Sequence, residues 1–94
     1  SELLPIREAM TGLREIAREA GFAEVRLAPD MARLNEDTGG LALDVQMIGE
    51  FKKVRELFLA MGRFPYVLHF ETLEIRKSPD GREVVQFRIW LRRS

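Results

Sequence analysis

The sequence predicts an α+β fold in which two helices pack on one face of a four-stranded antiparallel sheet. Helical and strand patterns of apolar residues follow one another in the order α-β-β-α-β-β along the 94 residues. An internal repeat supports this architecture, because LREIAREAGF at 13–22 is similar in sequence to VRELFLAMGRF at 54–64. A chain of this length is one domain, and its 46% hydrophobic residues are enough for one modest core.

The first helix is predicted over residues 3–20, where apolar residues recur at every third or fourth position. Its apolar positions are Leu3, Ile6, Met10, Leu13, Ala17 and Ala20. Pro5 suits the first turn, and Gly21 is typical of the left-handed residue that ends a helix. FAEVRLAP at 22–29 alternates and predicts a half-buried strand, while PDMARLNEDTGG at 29–40 predicts a long surface loop.

The second strand and the second helix follow from LALDVQMIGEFKKVRELFLAM at 41–61. The strand residues predicted to face the core are Leu41, Leu43, Val45 and Met47, and those predicted to face away are Ala42, Asp44, Gln46 and Ile48. The helix residues predicted to be buried are Phe51, Val54, Leu57, Phe58 and Met61. Gly62 is predicted to cap this helix, and Pro65 prevents the helix from continuing.

YVLHFETLEIRK at 66–77 is rich in β-forming residues, but its apolar positions change parity along the strand. A β-bulge near Glu71–Thr72 would restore one apolar face, so we predict a bulge there. SPDGRE at 78–83 predicts a tight turn in which Gly81 adopts a positive φ. The last strand is predicted to bury Val85, Phe87, Ile89 and Leu91 and to present Gln86, Arg88, Trp90 and Arg92 on its other side.

These elements form two α-β-β units, at about residues 3–48 and 50–92, within one domain that covers 1–94. Neither unit can bury its apolar sheet face and helix stripe alone, but two units together can close a ferredoxin-like two-layer sandwich. Relative to the usual β-α-β order of that fold, the order of elements is circularly permuted. The repeat therefore specifies a fold and, by itself, no activity.

The composition provides few groups for catalysis. There is no cysteine, and the formal net charge of +0 gives no electrostatic basis for binding nucleic acid. The single histidine, His69, lies two residues before Glu71, which puts both side chains on one sheet face. Two ligands fall short of a protein zinc site. We therefore predict no catalytic residue, no metal and no cofactor, and keep a minimal enzyme using His69 and Glu71 as the least favoured alternative.

The sheet face opposite the helices is the candidate partner interface. It is expected to display the apolar residues Ala42, Ile48 and Trp90, with Val67 or Phe70. Because protein interfaces concentrate Trp and Arg at their centres, we predict that this face, together with exposed parts of the first helix, binds another protein. Dimerisation through the first helix, a sheet edge or this open face stays open at this point. The predicted interface residues are Ala42, Asp44, Gln46, Ile48, Arg88, Trp90 and Arg92. An ordinary solvated sheet face agrees with the same pattern.

The stretch from Leu41 to Ile75 resembles the C-terminal periplasmic domain of PilO-type type IV pilus assembly proteins, and less closely GspM-type proteins of type II secretion. The matching features are the alternating strand that ends at Gly49, Phe51 two residues later, LFLAM at 57–61, Pro65 before a strand, and the L-E-I at 73–75. PilN-type and GspL-type domains share this architecture, so they remain alternatives within the same machinery.

The resemblance implies a non-enzymatic scaffold domain in an inner-membrane pilus-assembly or secretion platform. Such a domain would be the periplasmic C-terminal module of a longer protein that an N-terminal helix anchors in the inner membrane. It would form homodimers and heterodimers, the latter with a PilN- or GspL-like paralogous domain. The competing hypothesis is a small-ligand-sensing regulatory domain, which would have a pocket between the loop at 29–40 and a helix end.

Overall fold

The computed structural model describes residues 6–30 and 40–92 and places every predicted element in the predicted order. The elements are α1 (Ile6–Glu19), β1 (Ala23–Pro29), β2 (Gly40–Ile48), a 3₁₀ turn (Phe51–Lys53), α2 (Val54–Gly62), β3 (Val67–Lys77) and β4 (Glu83–Arg92). The four strands form one antiparallel sheet in the order β1-β2-β4-β3. The α+β class is thereby confirmed, and the architecture is consistent with a ferredoxin-like sandwich. The circular permutation stays a prediction.

The core is one hydrophobic cluster that combines side chains of both helices with one face of the two central strands. The strand residues in it are Leu41, Leu43, Val45 and Met47 of β2 and Val85, Phe87, Ile89 and Leu91 of β4, each at most 2% exposed. The helices contribute Ala9, Leu13 and Ala17 from α1 and Val54, Leu57 and Met61 from α2. The alternation predicted for β2 and β4 therefore assigns the core-facing residues correctly.

In each of the two predicted helices, one residue that was predicted to be buried is exposed. Ile6 begins α1 and is 39% exposed, and Ala9 takes the buried position in its place. Phe51 is 56% exposed rather than buried. Its N–H bonds to a carboxylate oxygen of Glu83, 3.1 Å away, at the start of β4. Phe51 thus lies in the 3₁₀ turn at the end of the sheet, before α2 begins. Leu3 lies outside the described residues.

The two predicted glycine caps have opposite outcomes. Gly21 has φ +92 and ends α1, since its N–H bonds to the carbonyl of Arg18 and the next N–H, of Phe22, bonds to the carbonyl of Ala17. This pair of bonds is the Schellman motif. The prediction that Gly62 caps α2 is wrong, because Gly62 is the last residue of the helix. The cap is Arg63, whose backbone is in the right-handed helical region at φ −83 and ψ −13.

The predicted bulge in β3 is confirmed. The pairing with β4 shifts between Glu71 and Glu74, and Thr72 has φ +58. The shift brings Phe70 opposite Ile89 and Ile75 opposite Val85, so both lie on the core face. The turn at 78–83 is also as predicted, with Gly81 at φ +86. Most of the loop predicted at 29–40 lies outside the described residues; Pro29 itself ends β1, and Gly40 begins β2.

Candidate functional site

The predicted interface residues lie side by side on the two central strands. Ala42 is opposite Trp90, Asp44 is opposite Arg88, and Gln46 is opposite Gln86. The side chains of this face, the Trp90 face, are those of alternate positions from Gly40 to Ile48 on β2 and from Val84 to Arg92 on β4. The register of β3 adds His69 beside Trp90, Glu71 beside Arg88, Glu74 beside Gln86 and Arg76 beside Val84.

Arg88 is the electrostatic centre of the Trp90 face. Its Nε and Nη2 donate hydrogen bonds to the two carboxylate oxygens of Asp44, at 2.9 and 3.1 Å. Its Nη1 lies 3.1 Å from a carboxylate oxygen of Asp30, just after β1. The hydrogen bonds that Arg88 donates to Asp44 raise the pKa of Arg88 above its ordinary value, with further contributions from the negative charges of Asp44, Asp30 and Glu71. A bidentate carboxylate and a second carboxylate therefore fix the guanidinium in one orientation.

Trp90 is held from two sides by residues of β3. Its indole N–H donates a hydrogen bond of 2.8 Å to the carboxylate of Glu71. The ring of His69 stacks on the indole, with centroids 5.8 Å apart and planes 21° apart. On the other side the indole reaches β2, where a methyl group at Gly40 would lie 3.3 Å from its Cε3 atom. The side chain of Trp90 is therefore fixed before any partner binds.

One of the predicted interface residues, Ala42, is not available to a partner. Ala42, directly opposite Trp90, is 1% exposed, although it lies on the face predicted to be uncovered. Because Ala42 has no accessible surface, it can support Trp90 but cannot contact a partner. Val84, which is 5% exposed, is similarly buried on the same face and was not predicted.

The Trp90 face is more polar than the sequence predicted. Phe70 belongs to the core face, where its ring stacks on Phe58 of α2 at a centroid distance of 4.7 Å, and Val67 also packs against the core. Beside Arg88 lies a shallow depression of about 240 Å³. It is lined by Asp44, Glu71, Thr72, Glu74, Gln86, Phe87 and Arg88. Three carboxylates and one guanidinium line this depression, so its surface favours a basic group over an acidic one.

His69 and Glu71 lie on one face as predicted, and both contact Trp90. The Glu71 carboxylate accepts the indole N–H, and the His69 ring stacks on the indole. Within the described residues, 6–30 and 40–92, no group of three or more His, Cys, Asp or Glu side chains is arranged to hold a metal ion. The predictions of no metal, no cofactor and no catalysis are not tested by this observation.

Asp30 was not among the predicted site residues, and Glu71 was placed on this face without a predicted contact with Trp90. Asp30 reaches Arg88 because its own N–H bonds to the carbonyl of Ala42 and extends the pairing of β1 with β2. Glu71 reaches Trp90 because the strand order places β3 next to β4. Both contacts follow from sheet register, for which the sequence gives no local signal.

A scan against protein-family models finds no match, and a search of the curated proteins finds no relative of this chain. In the part of the chain that the structure describes, neither helix has the length and apolar character that crossing a membrane requires.

Proposed function

We propose that this domain is a non-enzymatic protein–protein interaction module of an inner-membrane pilus-assembly or type II secretion platform. In this proposal it acts in the periplasm by homo- and heterodimerisation, as the C-terminal module of a membrane-anchored protein. The heterodimer partner is a PilN- or GspL-like paralogous domain. The resemblance of residues 41–75 to PilO-type domains supports the platform, and the Trp90 face supports the binding role.

The observation that carries the binding role is the fixed geometry of Arg88 and Trp90. These residue types are enriched among the few that dominate binding energy at protein interfaces. Here Asp44 and Asp30 hold the guanidinium, while Glu71 and His69 hold the indole. A partner would meet side chains that are already ordered, so little conformational entropy is lost on binding.

The polar character of the Trp90 face suits a partner that assembles reversibly. Charged residues set the orientation and the rate of association more than they set affinity. The acidic depression beside Arg88 would take a Lys or Arg side chain of the partner. The alternative of a ligand-sensing domain depends on a pocket beside the loop at 29–40, most of which lies outside the described residues.

The test measures heterodimer formation with a purified PilN-type periplasmic domain from the same organism by isothermal titration calorimetry. Trp90→Asp should weaken binding at least tenfold, or about 1.4 kcal/mol. Glu56→Ala on the exposed surface of α2 is the control and should bind like the wild type. Circular dichroism checks that both variants fold. Equal affinity for the Trp90→Asp variant and the wild type would refute the role of this face, and no binding by either would refute the heterodimer.

A further inference from the structure

Among the described strands, β3 is the one that carries exposed large apolar residues. Among the described residues, β3 lies at one end of the sheet and no strand pairs with its outer side. It also carries three large, exposed apolar residues: Leu68 at 52%, Leu73 at 45% and Ile75 at 37%. The other edge strand, β1, ends at Pro29 and is irregular at Glu24, which has φ +49. Proline and bulges discourage edge pairing. β3 also has a bulge, at Thr72, but beyond it residues 73–77 contain no proline and Glu74 to Lys77 pair with β4 without a shift, so this segment is the edge better suited to pairing.

Beyond its bulge, β3 has a regular segment at residues 73–77 with a self-complementary charge pattern. Glu74 and Arg76 project on the Trp90 face, since their partners on β4 are Gln86 and Val84. Ile75, opposite Val85, projects on the core face between them. Within the described part of the chain, neither Glu74 nor Arg76 has an ion-pair partner. The strand therefore offers one unpaired carboxylate and one unpaired guanidinium, two residues apart on the same face.

We propose that a second copy of this chain pairs with β3 in antiparallel fashion, with Ile75 on the two-fold axis. In an isologous antiparallel pair one residue faces its own copy, and residues equidistant from it face each other on the same side of the sheet. Centring on Glu74 would oppose two carboxylates, and centring on Arg76 would oppose two guanidinium groups. Centring on Ile75 places Glu74 of each copy opposite Arg76 of the other. Of the three registers centred on residues 74, 75 and 76, only this one opposes no like charges, and a pair centred on Leu73 would have to continue through the bulge at Thr72.

The same register covers two of the three exposed apolar residues of β3, Leu73 and Ile75, and leaves Leu68 outside the pairing. Ile75 meets Ile75 of the second copy, and Leu73 lies opposite Lys77, whose aliphatic stem can cover it. The bulge at Thr72 limits the regular pairing to five residues per copy, so the dimer should be weak and reversible. Because the axis closes the contact, the product is a dimer with one continuous eight-stranded sheet, and not a fibre. The two Trp90 faces would then lie on the same side of that sheet.

This inference rests on the proposed function, which it deepens by naming the homodimer contact. The test is analytical ultracentrifugation of the 94-residue chain from about 10 µM to 1 mM, concentrations at which weak dimers form. The wild type should show a concentration-dependent dimer. Glu74→Arg alone and Arg76→Glu alone each oppose like charges twice, so each should dimerise at least tenfold more weakly. The double variant, and a one-to-one mixture of the two single variants, should recover dimerisation because both restore opposite pairs.

Glu56→Arg on α2 is the charge-changing control and should dimerise like the wild type. A wild type that stays monomeric at 1 mM, single variants that dimerise normally, or a mixture that fails to recover would each overturn the register proposed here. Trp90-dependent binding of the PilN-type domain by a monomeric wild type would refute homodimerisation and its β3 contact, and would leave the heterodimer role of the Trp90 face intact. The reverse pattern would refute the heterodimer and leave the β3 contact intact.

Discussion

The contact between Gly49 and Phe22 predicts that Gly49→Ala destabilises the fold. A methyl group at Gly49 would lie 2.4 Å from Cδ2 and 2.7 Å from Cε2 of the Phe22 ring, well inside van der Waals contact. Phe22 is only 3% exposed. Its N–H is bonded to the carbonyl of Ala17 at 2.9 Å in the cap of α1. The ring therefore cannot move away without disturbing either the core or the helix end.

The magnitude follows from two opposing effects. Overpacking of a core costs about 1–3 kcal/mol. Replacing glycine by alanine also reduces the conformational entropy of the unfolded chain, which raises the free energy of unfolding by about 0.4–1 kcal/mol. We therefore expect Gly49→Ala to lower the free energy of unfolding by about 1–2 kcal/mol. In a domain of this size that corresponds to a fall in Tm of roughly 4–16 °C.

Gly62→Ala is the matched control. Gly62 is the last residue of α2, and a methyl group there would meet no atom within 4 Å. Because alanine favours helix, this variant should gain about 0.5–1 kcal/mol. Urea and thermal unfolding followed by circular dichroism measure both variants, and Phe22→Leu in the Gly49→Ala background should recover part of the loss. A Gly49→Ala protein as stable as the wild type would refute the packing argument.

Three further predictions concern the Trp90 face, the bulge and the turn. Arg88→Ala should lower the free energy of unfolding by about 1 kcal/mol in urea titrations, since Asp30 and Asp44 lose their common partner; an equally stable Arg88→Lys would contradict a need for two-carboxylate geometry. Thr72→Gly should raise the free energy of unfolding by about 0.5–1 kcal/mol, because φ +58 is strained for a β-branched residue; a loss of stability would show that the threonine side chain matters more. The Ser78 hydroxyl and the backbone N–H of Arg82 donate hydrogen bonds to Asp80 and lower its pKa below the ordinary 3.8. The charged Asp80 therefore stabilises the folded protein fully above pH 3.8, and this contribution should be lost as the pH falls through the lower pKa of the folded state. NMR titration of the Asp80 carboxyl measures that pKa, and Asp80→Asn should remove this part of the pH dependence.

The core of the fold was predictable because it depends on local periodicity. Strict alternation in β2 and β4 assigns the eight core-facing residues of the central strands correctly. The parity change in β3 has one simple structural explanation, and the bulge at Thr72 confirms it. Phe51 was mispredicted because helical spacing of apolar residues begins before α2 does, in the 3₁₀ turn. Gly62 was mispredicted because a glycine after an apolar helical run does not fix the last helical residue; here α2 includes Gly62, and Arg63 is its cap.

The candidate site was less predictable because its contacts join residues far apart in sequence. The pairing of Arg88 with Asp44 needs the β2–β4 register, and the bond from Trp90 to Glu71 needs β3 to neighbour β4. Alternation placed Ala42 on the correct face. Whether Ala42 is accessible depends on the side chains that surround it in the folded sheet, which alternation does not report.

The internal repeat has a consequence in three dimensions that goes beyond strand order. The phenylalanine that follows each repeated helix packs on a glycine near the other helix. Phe22, which follows α1, packs on Gly49, just before the 3₁₀ turn that leads into α2. Phe64, which follows α2, approaches Gly12 within α1, where an added methyl group would lie 2.8 Å from the Phe64 ring. Each unit therefore supplies an aromatic ring whose position the other unit's backbone completes. Since the central strands also share one core, neither unit retains a closed apolar face when separated, and the two should unfold together in one transition.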